Sequence, residues 1–466
     1  MNKVNVRLRP IVSNINLPTV IKTTILPGDL MESILIATQV GEIFYIRNGA
    51  LELFLDIRQR IIKLGSNGGY DERGLLGLAF HPNFYYNRLF YLHYSLAGTQ
   101  GPGALSKSFI PDPCDPITLN LIWISRENQY DHIDTVEEWI LQPNGQAQKL
   151  RTLLNLRRPF MNHNGVNSLN FTPETGKLIL TTGDGGSGYD PFNLSQDIME
   201  VAGKIIEIDV NNNAFINNPP IVTRFIELPE SIQRNLTVIA KGVRNIPGIS
   251  FQRYFDQYIK YVGNVGQDLV ESIFSYIYYK PIKVTEIVLE SEIEQEGLIN
   301  LGWRGWEGDL PTTVIRACPS DSSLVEETVS YFNEAIETAT KRIHPLACYY
   351  HRDKRPDKFR GTALTGIQPY MGNEIPDLNG CAVFIDFAKR GESPTRGALA
   401  YTKVRADCKQ NDFSVIEINY DFGSHSAYYV SLGTNLTQSK LYLGVYGSAN
   451  VTNLNQGTVF EIYNEP

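Results

Sequence analysis

The chain has 466 residues, a length that normally implies two to four domains, although one large β architecture can also hold it. Hydrophobic residues make up 42% and charged residues 20%, which excludes a disordered chain and a long coiled coil. The net charge of -8 argues against nucleic acid as the main partner, because no basic excess exists to neutralise phosphates.

Taken in chain order, short β-type segments recur along the sequence, and turn residues bound each of them. Several begin with glycine, then a polar residue, then alternating apolar positions, which is typical of a half-buried strand entered from a tight turn. The clearest segments are residues 41–46, 88–94, 176–181, 203–209, 441–446 and 457–463. Spaced strands of this kind point to blade-like units.

One helix and two insertions interrupt the strand pattern. Residues 323–341 have apolar positions at helical spacing, and residues 98–113 form a loop rich in Gly, Pro and Ser. No interdomain linker is visible. We therefore expect a single closed β domain over residues 1–466, with insertions at about 98–150 and 309–360.

Other compositional signals exclude more than they predict. The five cysteines form no Cys-x-x-Cys pair, which argues against a structural zinc site, and a bridge between Cys318 and Cys348 stays open. The first 28 residues hold no unbroken apolar region, so we predict no signal peptide. No apolar run of about 18 residues occurs, so we predict no membrane span. Cellular location and oligomeric state stay open.

The densest cluster of chemically capable residues surrounds His163. This residue precedes Asn-Gly at a turn, and Asp184 lies 21 residues later (184 minus 163) in a Gly-Asp-Gly-Gly turn. A carboxylate beside an imidazole would give an oriented base that titrates near neutral pH. The alternative is that both side chains only cap their own turns.

Two further clusters follow along the chain. Arg244 offers a planar donor fork for carboxylate or quinone oxygens, and Asn245 adds an amide. Asp268 and Glu271 flank a Gly-rich turn and supply oxygen ligands that suit calcium, although this turn does not match an EF-hand loop. The alternatives are a surface arginine in the first case and a solvated acidic turn in the second.

The last cluster is the Gly-rich segment 300–308, which contains Trp303 and Glu307. It predicts either a stacking platform for a sugar face or a tryptophan packed in the core. We expect His351 in solvent, because it opens the basic run His-Arg-Asp-Lys-Arg. No Gly-x-Ser-x-Gly elbow, P-loop or His-Glu-x-x-His motif occurs.

In their joint order, these clusters resemble the glucose/sorbosone dehydrogenase family, which includes soluble quinoprotein glucose dehydrogenases and aldose sugar dehydrogenases. The resemblance covers nearly the whole chain outside the two insertions. Its matching stretches are residues 66–84, 163–165, 183–192, 203–205, 242–245, 263–271 and 300–308, with a weaker likeness over 361–387.

The resemblance implies an all-β fold, a six-bladed β-propeller with a pocket at one end of its axis. It also implies pyrroloquinoline quinone (PQQ) and Ca2+ as cofactors. The implied reaction oxidises an aldose sugar at C1 to its lactone, with His163 as general base and an unknown electron acceptor. The implied site residues are Asp184 to orient His163, Arg244, Asn245, Gly266 and Gln267 for the quinone, Glu271 for calcium, and Arg73 and Trp303 for the sugar.

Three positions depart from the family pattern. Val166 follows Gly165 where a second glycine is usual, Leu301 replaces a tyrosine, and Arg73 stands where sugar-oxidising members often have glutamine. These departures leave two alternatives open. One is a non-catalytic β-propeller that binds a protein or glycan partner, and the other is a calcium-dependent lactonase built on the turn Asp268–Glu271.

Overall fold

The computed structural model describes residues 4–464, apart from residues 48, 67, 100–129, 191, 214, 291–294, 313–332, 334 and 404–410. Strands dominate this part of the chain. Its helices are short, namely α1 (Phe84–Asn87), α2 (Glu230–Gln233), α3 (Val284–Leu289) and a helical turn over residues 335–338. No helix among the described residues is long and apolar enough to cross a membrane.

The first two sheets are built from strands that follow one another and pair antiparallel. The first sheet contains β2 (Pro18–Ile25), β3 (Glu32–Thr38), β4 (Glu42–Arg47) and β5 (Ala50–Asp56). The second contains β6 (Leu75–Phe80), β7 (Leu89–Ala97), β8 (His132–Leu141) and β9 (Ala147–Arg158). The short β13 (Ile221–Val222) pairs parallel with β9 at the edge of the second sheet.

The third and fourth sheets repeat this design. The third contains β10 (Leu169–Phe171), β11 (Leu178–Thr181), β12 (Ile205–Ile208), β14 (Leu236–Lys241) and β18 (Ile282–Lys283), with β19 (Ile299–Asn300) paired to β14. The fourth contains β15 (Ile249–Tyr254), β16 (Gln257–Asn264), β17 (Val270–Tyr276) and β22 (Ala347–Tyr350). A small hairpin joins β20 (Trp306–Glu307) to β21 (Leu310–Pro311).

The last sheet has eight strands and brings the two ends of the chain together. Its order is β23 (Leu364–Tyr370), β24 (Cys381–Asp386), β25 (Ala398–Lys403), β26 (Phe413–Asn419), β1 (Val4–Ile15), β29 (Gly457–Asn464), β28 (Leu441–Tyr446) and β27 (Tyr428–Thr434). The N-terminal β1 pairs antiparallel with β29 and parallel with β26. These pairings link the start of the chain to its last strands.

Apolar clusters lie between neighbouring sheets instead of forming one central core. Val20 and Leu35 of the first sheet pack with Leu75 and Leu92 of the second. Similar clusters join the second sheet to the third, the third to the fourth and the fourth to the fifth. A further cluster joins the fifth sheet back to the first. The sheets therefore form a closed, propeller-like ring, in which each apolar sheet face is covered by the next sheet.

The all-β prediction is confirmed, and the predicted segments 41–46, 441–446 and 457–463 correspond to β4, β28 and β29. Described parts of both predicted insertions belong to the sheets. β8 and β9 extend the second sheet from residue 132, and β22 belongs to the fourth sheet. Cys318 and most of the predicted helix 323–341 lie outside the described residues.

Candidate functional site

Two turns that follow strands of different sheets come into close backbone contact. His163 lies in the turn after β9, and Asp184 lies in the turn after β11. Gly183 permits the contact, because a Cβ at that position would lie 1.6 Å from the His163 carbonyl oxygen. Arg158 holds both turns, since its guanidinium donates to the carbonyl oxygens of His163 at 2.5 Å and Gly183 at 3.2 Å.

The side chains of His163 and Asp184 form a buried pair. His163 Nδ1 lies 2.7 Å from Asp184 Oδ1, and the two residues are 5% and 1% exposed. Asp184 Oδ1 also accepts from the Gly186 N–H at 2.9 Å, and Oδ2 accepts from Trp303 Nε1 at 2.8 Å. The carboxylate is therefore fixed as an acceptor, which makes Nδ1 the protonated nitrogen of His163 and leaves Nε2 as the basic one.

His163 lines a cavity of about 420 Å³. We call it the main cavity because it brings together most of the predicted site residues. Four other predicted site residues line the same cavity: Arg244, Asn245, Gly266 and Gln267. The apolar part of its wall comprises Leu17, Leu76, Val166, Pro247, Val265, Ala363, Leu364, Phe387, Val430, Ala449 and Val451. An apolar chamber with a few convergent polar groups is the usual form of a small-molecule site.

Arg244 is held in place from several sides. Its Nη2 donates to Gln267 Oε1 at 3.0 Å, and its guanidinium lies 5.4 Å from the centre of the Trp303 ring. The N–H groups of Arg244 and Asn245 both donate to Asn264 Oδ1, at 3.0 and 3.2 Å. These contacts hold a cation at the cavity wall, where it is only 7% exposed.

The turn that carries Gly266 and Gln267 is organised by Glu307. Glu307 Oε2 accepts from four successive N–H groups, those of residues 267–270, at distances between 2.9 and 3.4 Å. Burial raises the pKa of Glu307 above its ordinary value. The sequence placed Glu307 on a sugar-stacking loop, whereas the structure uses it to support the turn at the cavity wall.

Glu271 lies behind the main cavity, and both of its carboxylate oxygens accept hydrogen bonds from protein donors. Its Oε1 pairs with His351 Nε2 at 2.7 Å, and its Oε2 accepts from the N–H groups of Leu364 at 3.0 Å and Gly266 at 3.3 Å. His351 is 2% exposed, so the expectation that it is solvated is wrong. Burial lowers the pKa of His351, but the hydrogen bond and charge of Glu271 outweigh burial and raise it.

These contacts engage both carboxylate oxygens of Glu271 with protein donors. No group of three or more His, Cys, Asp or Glu side chains in the described part of the chain is arranged to hold a metal ion. The structure therefore gives no support to the prediction that Glu271 is a calcium ligand, because protein donors already occupy its carboxylate.

The two predicted sugar contacts lie elsewhere than expected. Arg73 is buried and forms ion pairs with Asp71 at 2.7 Å and Asp131 at 3.0 Å, which hold it behind the cavity wall. Trp303 is 1% exposed, does not line the main cavity, and donates from Nε1 to Asp184. Leu301 is also buried in an apolar cluster. Arg73 and Trp303 are therefore positioned to support the site, and neither is placed to contact a sugar.

Sequence reasoning missed two residues of this site. Glu72 lines the main cavity, and its Oε2 accepts from the His163 N–H at 2.7 Å. Arg158 holds the turns of His163 and Asp184 together and forms an ion pair with Asp134 at 3.1 Å. The only sequence signal for Glu72 was its place within the matching stretch 66–84, and Arg158 carried no signal.

Comparison with known proteins finds a matching family model and related sequences. Residues 21–275 match the family model described as "Glucose / Sorbosone dehydrogenase". HIPL1 protein of Arabidopsis thaliana is 30% identical over 358 residues, which are 71% of this chain and 46% of that protein. The human Hedgehog-interacting protein is 29% identical over 217 residues, 46% of this chain and 26% of that protein. The chain thus spans less than half the length of these curated relatives.

Solved structures share the fold at low sequence identity. The PQQ-bound aldose sugar dehydrogenase of Streptomyces coelicolor is 15% identical, with a TM-score of 0.57 over 99% of this chain and 98% of that one. The apo form of the soluble aldose sugar dehydrogenase of Escherichia coli is 13% identical, with a TM-score of 0.55 over 99% of this chain and 100% of that one. These likenesses establish the propeller-like fold.

Proposed function

The chain belongs to the glucose/sorbosone dehydrogenase family, and from this premise we propose that it is a PQQ-dependent oxidoreductase. Its reaction would oxidise an aldose sugar at C1 to the lactone, with His163 as general base. The observation that carries the proposal is the main cavity, where the His163–Asp184 pair and the Arg244 guanidinium face one chamber.

The proposal includes a six-bladed propeller over residues 1–466. The eight-stranded sheet divides into two antiparallel halves, β23 to β26 and β27 to β29 with β1, joined by the parallel pairing of β1 and β26. Counted as two blades, these halves bring the four other large sheets to six. One ring of blades explains how residues 72, 163, 244 and 267 reach one chamber from distant parts of the sequence.

The donor set of the main cavity fits PQQ. The Arg244 fork matches quinone or carboxylate oxygens, and the amide of Asn245 is fixed because its Oδ1 accepts from the Gly165 N–H at 3.1 Å. When bound, PQQ supplies the two-electron acceptor that no side chain offers. Arg244, Asn245, Gly266 and Gln267 are the residues that would hold it.

The protein's own part in the reaction is to hold and move a proton. His163 Nε2 would take the proton of the sugar C1 hydroxyl, and Asp184 would stabilise the imidazolium that results. Trp303 and Gly186 hold Asp184 in that orientation, so little reorganisation is needed. Burial of the pair also limits access of water to the basic nitrogen.

Calcium fits less well than PQQ. The acidic turn that suggested it directs Glu271 to His351, and Asp268 Oδ2 accepts a hydrogen bond from Tyr189. We therefore assign no step to calcium. The lactonase alternative is not favoured either, because it depends on a calcium site at the same turn. Quinone binding should be compared with added calcium and with a chelator.

The experiment is a titration with PQQ, followed by assay of an aldose panel with an artificial electron acceptor. We expect quinone binding and turnover in the natural chain. Arg244→Gln should weaken quinone binding by about tenfold or more, since a charge-assisted hydrogen bond contributes roughly 1.5–3 kcal/mol. The exposed His344 offers a matched control, and His344→Ala should change neither value. The proposal is contradicted if the natural chain shows no quinone binding and no turnover, whether or not calcium is added.

A second candidate is a non-catalytic propeller that binds a protein or glycan. Its support is the likeness to the Hedgehog-interacting protein, together with Val166, whose side chain narrows the main cavity beside His163. This candidate predicts a folded chain that binds no quinone. Val166→Gly should then restore quinone binding if the valine is what blocks the cavity.

A further inference from the structure

A second concave surface lies on the fifth sheet, apart from the main cavity. We call it the outer cleft, and its volume is about 580 Å³. Its walls are residues 353–360, which lead from β22 towards β23, and residues 389–392, which follow β24, with β26 residues 414, 415 and 417 between them. No function considered so far uses this surface.

The outer cleft is positively charged in an acidic protein. Its walls carry six lysine or arginine residues and four aspartate or glutamate residues, whereas the whole chain has a net charge of -8. Three of the cations are neutralised nearby. Arg355 pairs with Asp353 at 2.7 Å, Lys389 with Glu392 at 2.7 Å, and Lys358 with Asp412 at 3.0 Å.

The three other cations are Lys354, Arg360 and Arg390. Among the residues that the structure describes, no carboxylate lies within 4.0 Å of any of these three side chains. All three are exposed, so they remain charged and accessible. An anion that enters the cleft would therefore not have to displace a carboxylate partner.

The backbone holds the two arginines on adjoining segments. The Arg390 N–H donates to the Arg360 carbonyl oxygen at 2.8 Å, and Arg390 Nε donates to the Gly361 carbonyl oxygen at 2.9 Å. Gly391 has φ +82°, and a Cβ there would lie 2.9 Å from Arg360 Nη2. The Arg360 guanidinium thus lies against the turn that carries Arg390. Two cations on adjoining segments raise the local positive potential, which favours binding of an anion.

We propose that the outer cleft binds a small molecule that carries a phosphate or sulfate ester. Both groups are tetrahedral oxyanions, and each can accept paired N–H donors from a guanidinium. The cleft has room for more than one oxyanion, which favours an ester over an inorganic ion. Arg360 and Arg390 would bind the anionic group, and Lys354 would add charge.

The site is separate from the main cavity, although the two share supporting segments. Residues 362–365 and Phe387 line the main cavity, whereas Arg360, Lys389 and Arg390 line the outer cleft. The Phe387 N–H donates to the Ala363 carbonyl oxygen at 2.8 Å, which ties the two segments together between the sites. The two sites therefore have different walls, and an anion in the cleft would not compete with a quinone for the same residues.

The experiment is calorimetric titration of the full chain with glucose 6-phosphate, glucose 6-sulfate and inorganic phosphate. We expect at least one ester to bind more tightly than inorganic phosphate, and to weaken as salt rises, because exposed charges are screened. Arg360→Gln should weaken ester binding by about tenfold, and Arg360→Gln with Arg390→Gln should abolish it. Arg360 makes no hydrogen bond through its side chain to another described residue, so the single variant should fold normally.

Two matched variants complete the test. Arg253→Gln changes an exposed arginine on another sheet, and Arg244→Gln removes the cation of the main cavity; both should bind the ester as the natural chain does. Three results would overturn the proposal. They are no ester binding at millimolar concentration, binding of inorganic phosphate alone, and ester binding that Arg360→Gln leaves unchanged or Arg244→Gln removes.

Discussion

Two of the buried histidine–carboxylate pairs in the described part of the chain have the same separation but different surroundings, because His163 lines the main cavity and His351 does not. His163 and Asp184 are 2.7 Å apart, and so are His351 and Glu271. All four residues are at most 5% exposed. His163 contributes to the wall of the main cavity, whereas His351 lies behind it and its Nδ1 has no hydrogen-bond partner among the described residues.

The separation of a histidine and a carboxylate therefore does not by itself distinguish a candidate catalytic pair from a structural one. The oxygens of Asp184 accept from Gly186 and Trp303, and these hydrogen bonds fix the carboxylate that orients His163. Glu271 Oε2 accepts from the backbone N–H groups of Gly266 and Leu364, and both of these residues form part of the cavity wall. Under the proposed function the first pair would transfer a proton, whereas the second holds the wall in position.

His163→Ala should give the largest effect. Turnover should fall by about a thousandfold, because general-base catalysis contributes roughly 10²–10⁴-fold. Quinone binding should stay within about threefold of the natural value, since the Arg244 donors remain. Steady-state kinetics and a quinone titration check both numbers. Turnover that survives in His163→Ala would show that the two pairs do not differ as described.

His351→Leu should damage stability instead of chemistry. It leaves the Glu271 carboxylate buried without its partner, and breaking a buried pair costs roughly 3–5 kcal/mol. Urea denaturation measures the loss. The double variant Glu271→Gln with His351→Leu should recover part of it, because no unpaired charge remains. A single variant as stable as the natural chain would contradict this role.

Asp184→Asn should reduce turnover by about a hundredfold while the fold persists, because the amide cannot stabilise an imidazolium as a carboxylate does. The control is Asp309→Asn, which changes another histidine-paired carboxylate at His344, outside the main cavity. That variant should keep full turnover. Equal losses in both variants would point to general destabilisation and not to orientation of His163.

The smallest effect concerns Asp190, a buried neighbour of Asp184. Burial, and then the charge of Asp184, raise the pKa of Asp190 from 3.8 to about 6. The folded state therefore holds a proton that the unfolded state releases. Stability from this group is complete below pH 3.8 and is lost as pH rises to about 6. Asp190→Asn should flatten that part of the stability profile, whereas Asp256→Asn, at an exposed position, should leave it intact.

Much of the fold and of the first pair could be predicted, because their signals are local. Strands such as β4 and β28 are short runs of strand-forming residues, and turn residues mark where they end in the sequence. The turns around His163 and Asp184 are written in glycine and asparagine. Arg244 was expected from its donor fork and Gln267 from the family resemblance, and both line the main cavity.

The second pair was missed because its partners are distant in sequence. His351 looked solvated beside charged neighbours, yet it continues the alternation of β22, where Tyr349 is buried and Tyr350 is exposed. Its partner Glu271 lies 80 residues away. Arg73 similarly reaches Asp131, 58 residues away, and that contact turned a predicted sugar ligand into a support. Such contacts depend on how sheets meet, which no local pattern encodes.

The most direct test of the central claim is a crystal structure of the chain soaked with PQQ. We expect density for the quinone in the main cavity, in contact with Arg244 and Asn245 and within reach of His163 Nε2. Density beside His351, at the outer cleft or at no ordered position would contradict it.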